Sequence, residues 1–339
     1  MKMLKKLLAI GLTTTILLTG CSSGGNKDTE GGSKNKKDGK YVVGINQLME
    51  HQALDDAREG FKDGLKELGV EAKVDIEFKE QNAQGDHGVA SQIAEKFIGD
   101  KVDLIYTIAT PATQATATAI DKAGTDTPIV FSAVTDAVES GLIKENENPG
   151  GNITGVLDAA DVKAQLELYK ELDSKIKTIG IIYNTSEENS AIQVKQVEEI
   201  APEVGLKVKT TGINSINDMA QSLQTLLDDV DALYVISDNM VASSVELVND
   251  ALIEKKMISI CAEESQVSGG ILLSNGSKYY DMGKEAAQKA KEILIDGKNP
   301  GEIPVELGKT KSMKVNETTL KELGLKKDLP IFKDAEFVK

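Results

Sequence analysis

The 339-residue sequence predicts an α/β protein built as two doubly wound, parallel-sheet domains, and three observations carry that prediction. From residue 40 onward, short apolar runs rich in branched side chains alternate with amphipathic stretches, the pattern of βα units laid on a parallel sheet. About 300 residues follow this pattern, more than a single core usually serves, so two domains are expected. The two halves also repeat. Val102-Asp103-Leu104-Ile105-Tyr106 matches Val230-Asp231-Ala232-Leu233-Tyr234, and Val43-Gly44-Ile45 matches Ile179-Gly180-Ile181, with Pro149-Gly150-Gly151-Asn152 between the halves. A closed (β/α) barrel is the alternative at this length.

In chain order, strands are predicted at residues 41–46, 74–79, 102–108, 129–133, 178–183, 206–210, 232–236, 258–261 and 271–274. Between them, apolar residues at three- and four-residue spacing predict helices over 54–68, 89–98, 112–122, 164–172, 191–204, 219–227, 241–254 and 280–294. The run from Val102 to Thr113 shows how these parts make a site. A buried strand ends at Thr110-Pro111, a capping residue followed by a proline suited to a first helical turn. A helix N-terminus with unpaired N–H groups would then face the carboxyl end of a parallel sheet, where open α/β proteins bind ligands.

The first twenty residues form a signal peptide: Lys2, Lys5 and Lys6, an apolar stretch from Leu7 to Leu18 too short to span a bilayer, then Leu18-Thr19-Gly20-Cys21. That last tetrapeptide resembles a bacterial lipobox, which implies cleavage before Cys21 and its acylation. Residues 22–40, almost free of apolar side chains, are a tether. A soluble domain held beside a membrane by lipid alone is therefore expected, on the extracytoplasmic face; the lipobox without other envelope signals suits a Gram-positive surface, and Lys-rich, Arg-poor usage suits an AT-rich genome.

With Cys21 assigned to lipid, Cys261 has no partner for a disulfide. The net charge of −15 argues against nucleic acid, and the single arginine, Arg58, removes the bidentate Arg clusters that phosphate sites favour. A carboxylate is the better anion for the socket at Thr110. The two histidines, His51 and His87, lie in polar loops, and HExxH, CxxC, GxSxG, P-loop and GxGxxG motifs are missing from suitable contexts. Neither an enzyme nor a metal or cofactor protein is expected, and His51 reads as a loop or ligand-lining residue.

Extending the repeat in register sets Thr110 against Asp238. One wall of an interdomain cleft would offer N–H donors from Ala109-Thr110-Pro111, the other a carboxylate from Ser237-Asp238-Asn239, a polarity suited to a zwitterion. As an alternative, Asp238 is a helix N-cap. The strand-end clusters Ser132-Ala133-Val134-Thr135-Asp136 and Asn184 to Ser190 would add donors on either wall.

These motifs, with Glu50-His51-Gln52-Ala53-Leu54-Asp55, Gln81-Asn82-Ala83-Gln84-Gly85-Asp86 and Gly150-Gly151-Asn152-Ile153-Thr154-Gly155, resemble the substrate-binding lipoproteins of ABC importers of the tryptophan-binding type. The resemblance covers nearly all of residues 40–325. It implies the periplasmic-binding-protein type I fold, two doubly wound domains joined by three crossovers, with one lobe from 41–157 plus 264–300 and the other from 158–263 plus 301–339. It implies an aromatic amino acid as ligand, no cofactor, and a monomer that serves an ABC permease and its ATPase. Thr110 and Ala112 would hold the ligand carboxylate, with Ala109, Ser132, Val134 and Thr135 beside them, and Asp238 the ammonium. Glu50, Asn184, Ser186, Asn189, Ser190 and Asn239 would complete the pocket. The family usually carries proline where Gln52 stands, so tryptophan specificity does not transfer directly. The polar loop at Glu50, His51 and Gln52 favours tyrosine, with phenylalanine and tryptophan open. The rivals are a branched amino acid or sugar in the same fold, and a surface enzyme or adhesive lipoprotein.

Overall fold

The computed structural model of the chain describes residues 39–339. The expected signal peptide, the expected lipidation site Cys21 and nearly all of the expected tether lie outside the described residues. The first lobe runs β1 (Lys40–Gln47), α1 (Gln52–Ala72), β2 (Asp75–Asn82), α2 (His87–Gly99), β3 (Leu104–Ile108), α3 (Thr110–Ala123), β4 (Ile129–Val134) and β5 (Ile153–Leu157). The second lobe follows with α4 (Val162–Leu172), β6 (Thr178–Asn184), α5 (Glu188–Ile200), β7 (Lys207–Ile213), α6 (Met219–Leu227), β8 (Ala232–Val235), α7 (Asn239–Ala242), α8 (Val245–Lys255), β9 (Ile258–Cys261), α9 (Ser265–Ser268) and β10 (Leu273–Ser277). The chain returns to the first lobe with α10 (Tyr279–Leu294) and β11 (Glu306–Leu307), and ends in the second with β12 (Lys311–Asn316), α11 (Glu317–Glu322) and β13 (Glu336–Val338).

The sheets have the orders β11-β5-β4-β3-β1-β2 and β13-β12-β10-β9-β8-β6-β7, parallel except where β12 runs against β10. Two open sheets exclude the barrel. The repeat seen in the sequence is a structural one, because β3 and β8 hold the same place in their sheets. Each Asp of the repeat pins the neighbouring strand: Asp103 Oδ2 accepts from the Val42 amide at 2.8 Å, and Asp231 Oδ2 from the Lys177 and Thr178 amides at 2.9 Å. Each Tyr is buried in its lobe, Tyr106 stacked on Phe61 with ring centroids 3.7 Å apart.

Helix α1 puts Leu54, Ala57, Phe61 and Leu65 on one buried stripe, the three- and four-residue spacing of a core-facing helix. It packs against α10 at backbone distance. A Cβ on Gly60 would stand 2.0 Å from the Tyr280 carbonyl oxygen, and one on Gly283 2.1 Å from that of Ala57.

Strand pairing moves two of the three expected crossings. Residues 264–277 stay in the second lobe, because β10 pairs with β9 and β12 and fills the place that β5 fills in the first sheet. Residues 301–307 stay in the first lobe, where Gly150 donates to the Gly301 carbonyl and β11 pairs with β5. The single helix expected over 241–254 is broken at Ser243-Ser244. The Ser243 hydroxyl bonds back to the Met240 carbonyl at 2.8 Å, the local competition by which serine ends a helix.

Candidate ligand-binding cleft

The carboxyl ends of β1, β3 and β4 face those of β6, β8 and β9 across a cleft, and the loops beyond them build its walls. Two strand ends of the first wall carry left-handed backbone on non-glycine residues, Ala109 at φ +82° and Ala133 at φ +55°. Such conformations cost about 1–3 kcal/mol and concentrate at binding sites. Ala109 turns the chain from β3 into α3, so the helix begins at Thr110 with Pro111 in its first turn. Its first N–H groups have no intrahelical partner by position. Thr110 is 1 % exposed, and its hydroxyl has no hydrogen-bond partner.

The cavity in the cleft is small, about 10 Å³, so the walls are closed on one another. His51, Ala53, Leu54 and Ala133 line it from the first lobe. Asn189, Ser237, Asp238 and Asn239 face them from the second lobe, with Ala242, Glu263 and Gln266. Asp158 and Tyr279, from the chain crossings, close one side. The lobes touch through His51 Nε2 and Asn239 Oδ1 at 3.2 Å, through the Gln193 amide donating to Thr135 Oγ1 at 3.1 Å, and through Gln114 donating to Glu188.

The second wall is acidic and buried. Asp238 caps α7, with Oδ1 accepting from the Val241 amide at 2.9 Å. Its Oδ2 accepts from the Asn184 amide at 2.6 Å and the Ser190 hydroxyl at 2.7 Å. Burial, reinforced by the neighbouring charge of Glu187, pushes its pKa up to about 7 against the opposing pull of those donors. Burial likewise pushes Glu263 up to about 7 and raises Asp158, while it lowers the His51 imidazole. Glu187 organises the loop, accepting from the Asn184 side chain at 3.0 Å and from the Asn239 amide at 3.2 Å.

Of the residues expected from the sequence, Asn189, Asp238 and Asn239 line the cavity. Asn184 and Ser190 stand behind them, holding Glu187 and Asp238. Asp238 lines the cavity and is also the N-cap of α7. On the first wall, Ala109 and Ala112 belong to the core, as does Val134, and the Ser132 hydroxyl is turned inward to Tyr106 at 2.5 Å. Thr135 bridges to Gln193 instead of facing the cavity. Glu50 and Ser186 are exposed and do not line it, and Ser186 spends its hydroxyl on Asn184 Oδ1 at 2.8 Å. The cap register also differs by one residue: Asp238 is the N-cap of α7, whereas the N-cap of α3 is Ala109 and Thr110 opens the helix.

Sequence reasoning missed Asp158, Ser237, Glu263, Gln266 and Tyr279. The rule that found Asp238, a polar cluster just past a strand, also picks out Glu263-Glu264-Ser265-Gln266 after β9, and Asp158 directly after β5.

Two doubly wound lobes joined by crossings and enclosing a cleft define the periplasmic-binding-protein type I fold. Residues 42–339 match the model of the ABC transporter substrate binding protein family, and the chain belongs to that family. It is 40% identical over 329 residues to a Clostridioides difficile tyrosine-binding protein, covering 96% of this chain and 93% of that one. It also resembles the ABC domain of Streptococcus pneumonia solved in complex with L-Trp (31% identity, 88% of this chain and 100% of that one, TM-score 0.81). Against the ligand-free, open structure of a Clostridium difficile substrate binding protein with adhesive properties, identity is 40% over 88% of this chain and 99% of that one, with a TM-score of 0.67. The better superposition goes to the less identical chain, the L-Trp complex. These relatives are substrate-binding proteins, not enzymes.

Proposed function

We propose that this substrate-binding protein captures an aromatic L-amino acid, tyrosine, phenylalanine or tryptophan, in the interlobe cleft and delivers it to an ABC permease and its ATPase. The observation that carries the reading is the polarity of the closed cleft. The N-terminus of α3, with the buried and unpartnered Thr110 hydroxyl, stands at the end of β3 outside the cavity lining, and buried carboxylates line the cavity on the other side. The ligand carboxylate goes to the Thr110 and Ala112 amides, where the helix dipole favours an anion. The ammonium goes to the carboxylates of the second wall, and the ring lies toward His51 and Asn239. The names of the relatives that bind tyrosine and L-Trp support this ligand class.

Closure buries the zwitterion and presents both lobes in one arrangement, the state a permease would recognise. The sequence of residues 18–21 supports a lipid anchor at Cys21, and among the described residues no helix is long and apolar enough to cross a membrane. Thermal unfolding with each of the twenty amino acids and a panel of sugars tests the proposal. Stabilisation by aromatic amino acids is expected. A shift confined to a sugar or a branched amino acid would replace them, and no shift with any aromatic would reject the reading.

A further inference from the structure

The carboxylates around the cavity differ in what already satisfies them. Asp238 is fully used by its own lobe, with three donors on its two oxygens. Asp158 and Glu263 each make well-formed hydrogen bonds through one oxygen only, although the Thr135 and Ser237 hydroxyls stand close enough to Asp158, and the Gln266 side chain to Glu263, to lower their pKa values against burial. Asp158 Oδ2 accepts from the Tyr279 hydroxyl at 2.5 Å, and Glu263 Oε2 from the amide and hydroxyl of Ser265 at 2.6 and 2.5 Å. Their other oxygens, Asp158 Oδ1 and Glu263 Oε1, are buried without a partner, on residues 5 % and 3 % exposed that line the cavity. Ser237 Oγ and Gln266 Oε1, in the same lining, are unpartnered too. The charge of Glu263 acts on Tyr279, and Tyr279 bonds Asp158, so these groups form one cluster beside the crossings. None of the cavity-lining residues is a lysine or arginine.

Buried anions without a cation are costly, and buried acceptor oxygens left without a donor cost more. An ammonium group brings one positive charge and three donors, which matches two carboxylate oxygens and one neutral oxygen of this cluster. We infer that the ligand ammonium is seated between Asp158 and Glu263, and that Asp238 is a positioning residue that shapes the wall through α7, Ser190 and Asn184. The inference rests on the amino-acid reading of the cleft and names its cation seat.

The placement has a mechanical consequence. Asp158 lies on the first crossing between lobes and Tyr279 on the second, so their hydrogen bond ties two hinge segments together. A ligand whose ammonium bonds Asp158 Oδ1 grips the hinge itself as well as the two walls.

A cycle of variants against ligands tests this. Wild type, Asp158→Asn, Glu263→Gln and Asp238→Asn are titrated calorimetrically with L-tyrosine and with 3-(4-hydroxyphenyl)propionate, which keeps the carboxylate and phenol but lacks the ammonium. Wild type should prefer tyrosine by about a hundredfold or more, the usual consequence of leaving buried charges unpaired. In Asp158→Asn and in Glu263→Gln that preference should fall at least about tenfold, and in Asp238→Asn it should persist even if overall affinity drops. A merely structural role would lower both affinities alike and leave the preference unchanged. Loss of the preference in Asp238→Asn alone, or its retention in both hinge-side variants, overturns the inference. If one hinge-side variant fails to fold by circular dichroism, the other decides. A wild type that binds no aromatic amino acid defeats the underlying reading, an outcome distinct from either.

Discussion

Lowering the pH from 8 to 6 should weaken ligand binding through the second wall. Asp238 and Glu263 are pushed up to about 7 chiefly by burial, well above the ordinary carboxylate range. The sign follows from which state holds the proton. Between an unfolded value near 4 and the folded value near 7, the ligand-free folded protein binds more protons than the unfolded chain, so these groups make it less stable as pH rises through that window. An ammonium ligand favours the ionised carboxylates and must expel the protons. For one group returned from about 7 to about 4, affinity at pH 6 is roughly tenfold below that at pH 8, and about 0.9 proton is released per ligand at pH 6. Burial lowers the His51 pKa below the ordinary imidazole value, against the pull of Asn239 and Glu187. Calorimetric titrations at pH 6 in two buffers of different ionisation enthalpy, repeated at pH 8, read both the proton count and the affinity. Equal affinities with no proton release would refute the electrostatic account of the wall.

Three substitutions test the architecture around the site. Gln193→Leu removes the bond to Thr135 across the cleft and the acceptor of the Ser237 amide, so the closed form should weaken by about 1–2 kcal/mol, lowering affinity roughly five- to thirtyfold, with a larger radius of gyration in solution scattering. Gly60→Ala should destabilise by about 1–3 kcal/mol in denaturant unfolding, because its Cβ meets the Tyr280 carbonyl and α1 must move from α10. Ala109→Gly should stabilise by about 1 kcal/mol in the same assay, since glycine tolerates φ +82° and its greater freedom when unfolded offsets only part of the relief.

What the sequence made legible follows from the physics of each element. Strands β1, β3, β4, β6 and β8 are buried on both faces and read as apolar runs, and the Asp and Tyr of the repeat mark equivalent places in the two sheets. Polar clusters just past strand ends located Asn189, Asp238 and Asn239. The edges were not legible. β11 is two residues long, and β12, Lys311–Asn316, carries lysines and is half-exposed between β10 and the short β13, so neither shows a buried-strand pattern. β5 is only five residues and directly follows a glycine-rich turn, and without it Asp158 had no strand end to mark it. The lobe boundaries moved for the same reason: where the chain crosses depends on which sheet β10 and β11 complete, a pairing between distant segments that local pattern does not encode. Ser132 shows the limit on the first wall, since a strand-end serine can face the cleft or, as here, the Tyr106 hydroxyl.

The most direct test of the central claim is a crystal structure of the protein grown with L-tyrosine. The account predicts density for the amino acid between the lobes, its carboxylate on the Thr110 and Ala112 amides and its ammonium on the acidic wall opposite. An occupied cleft with the ligand reversed, its ammonium toward α3, or a cleft left empty at saturating tyrosine, would contradict it.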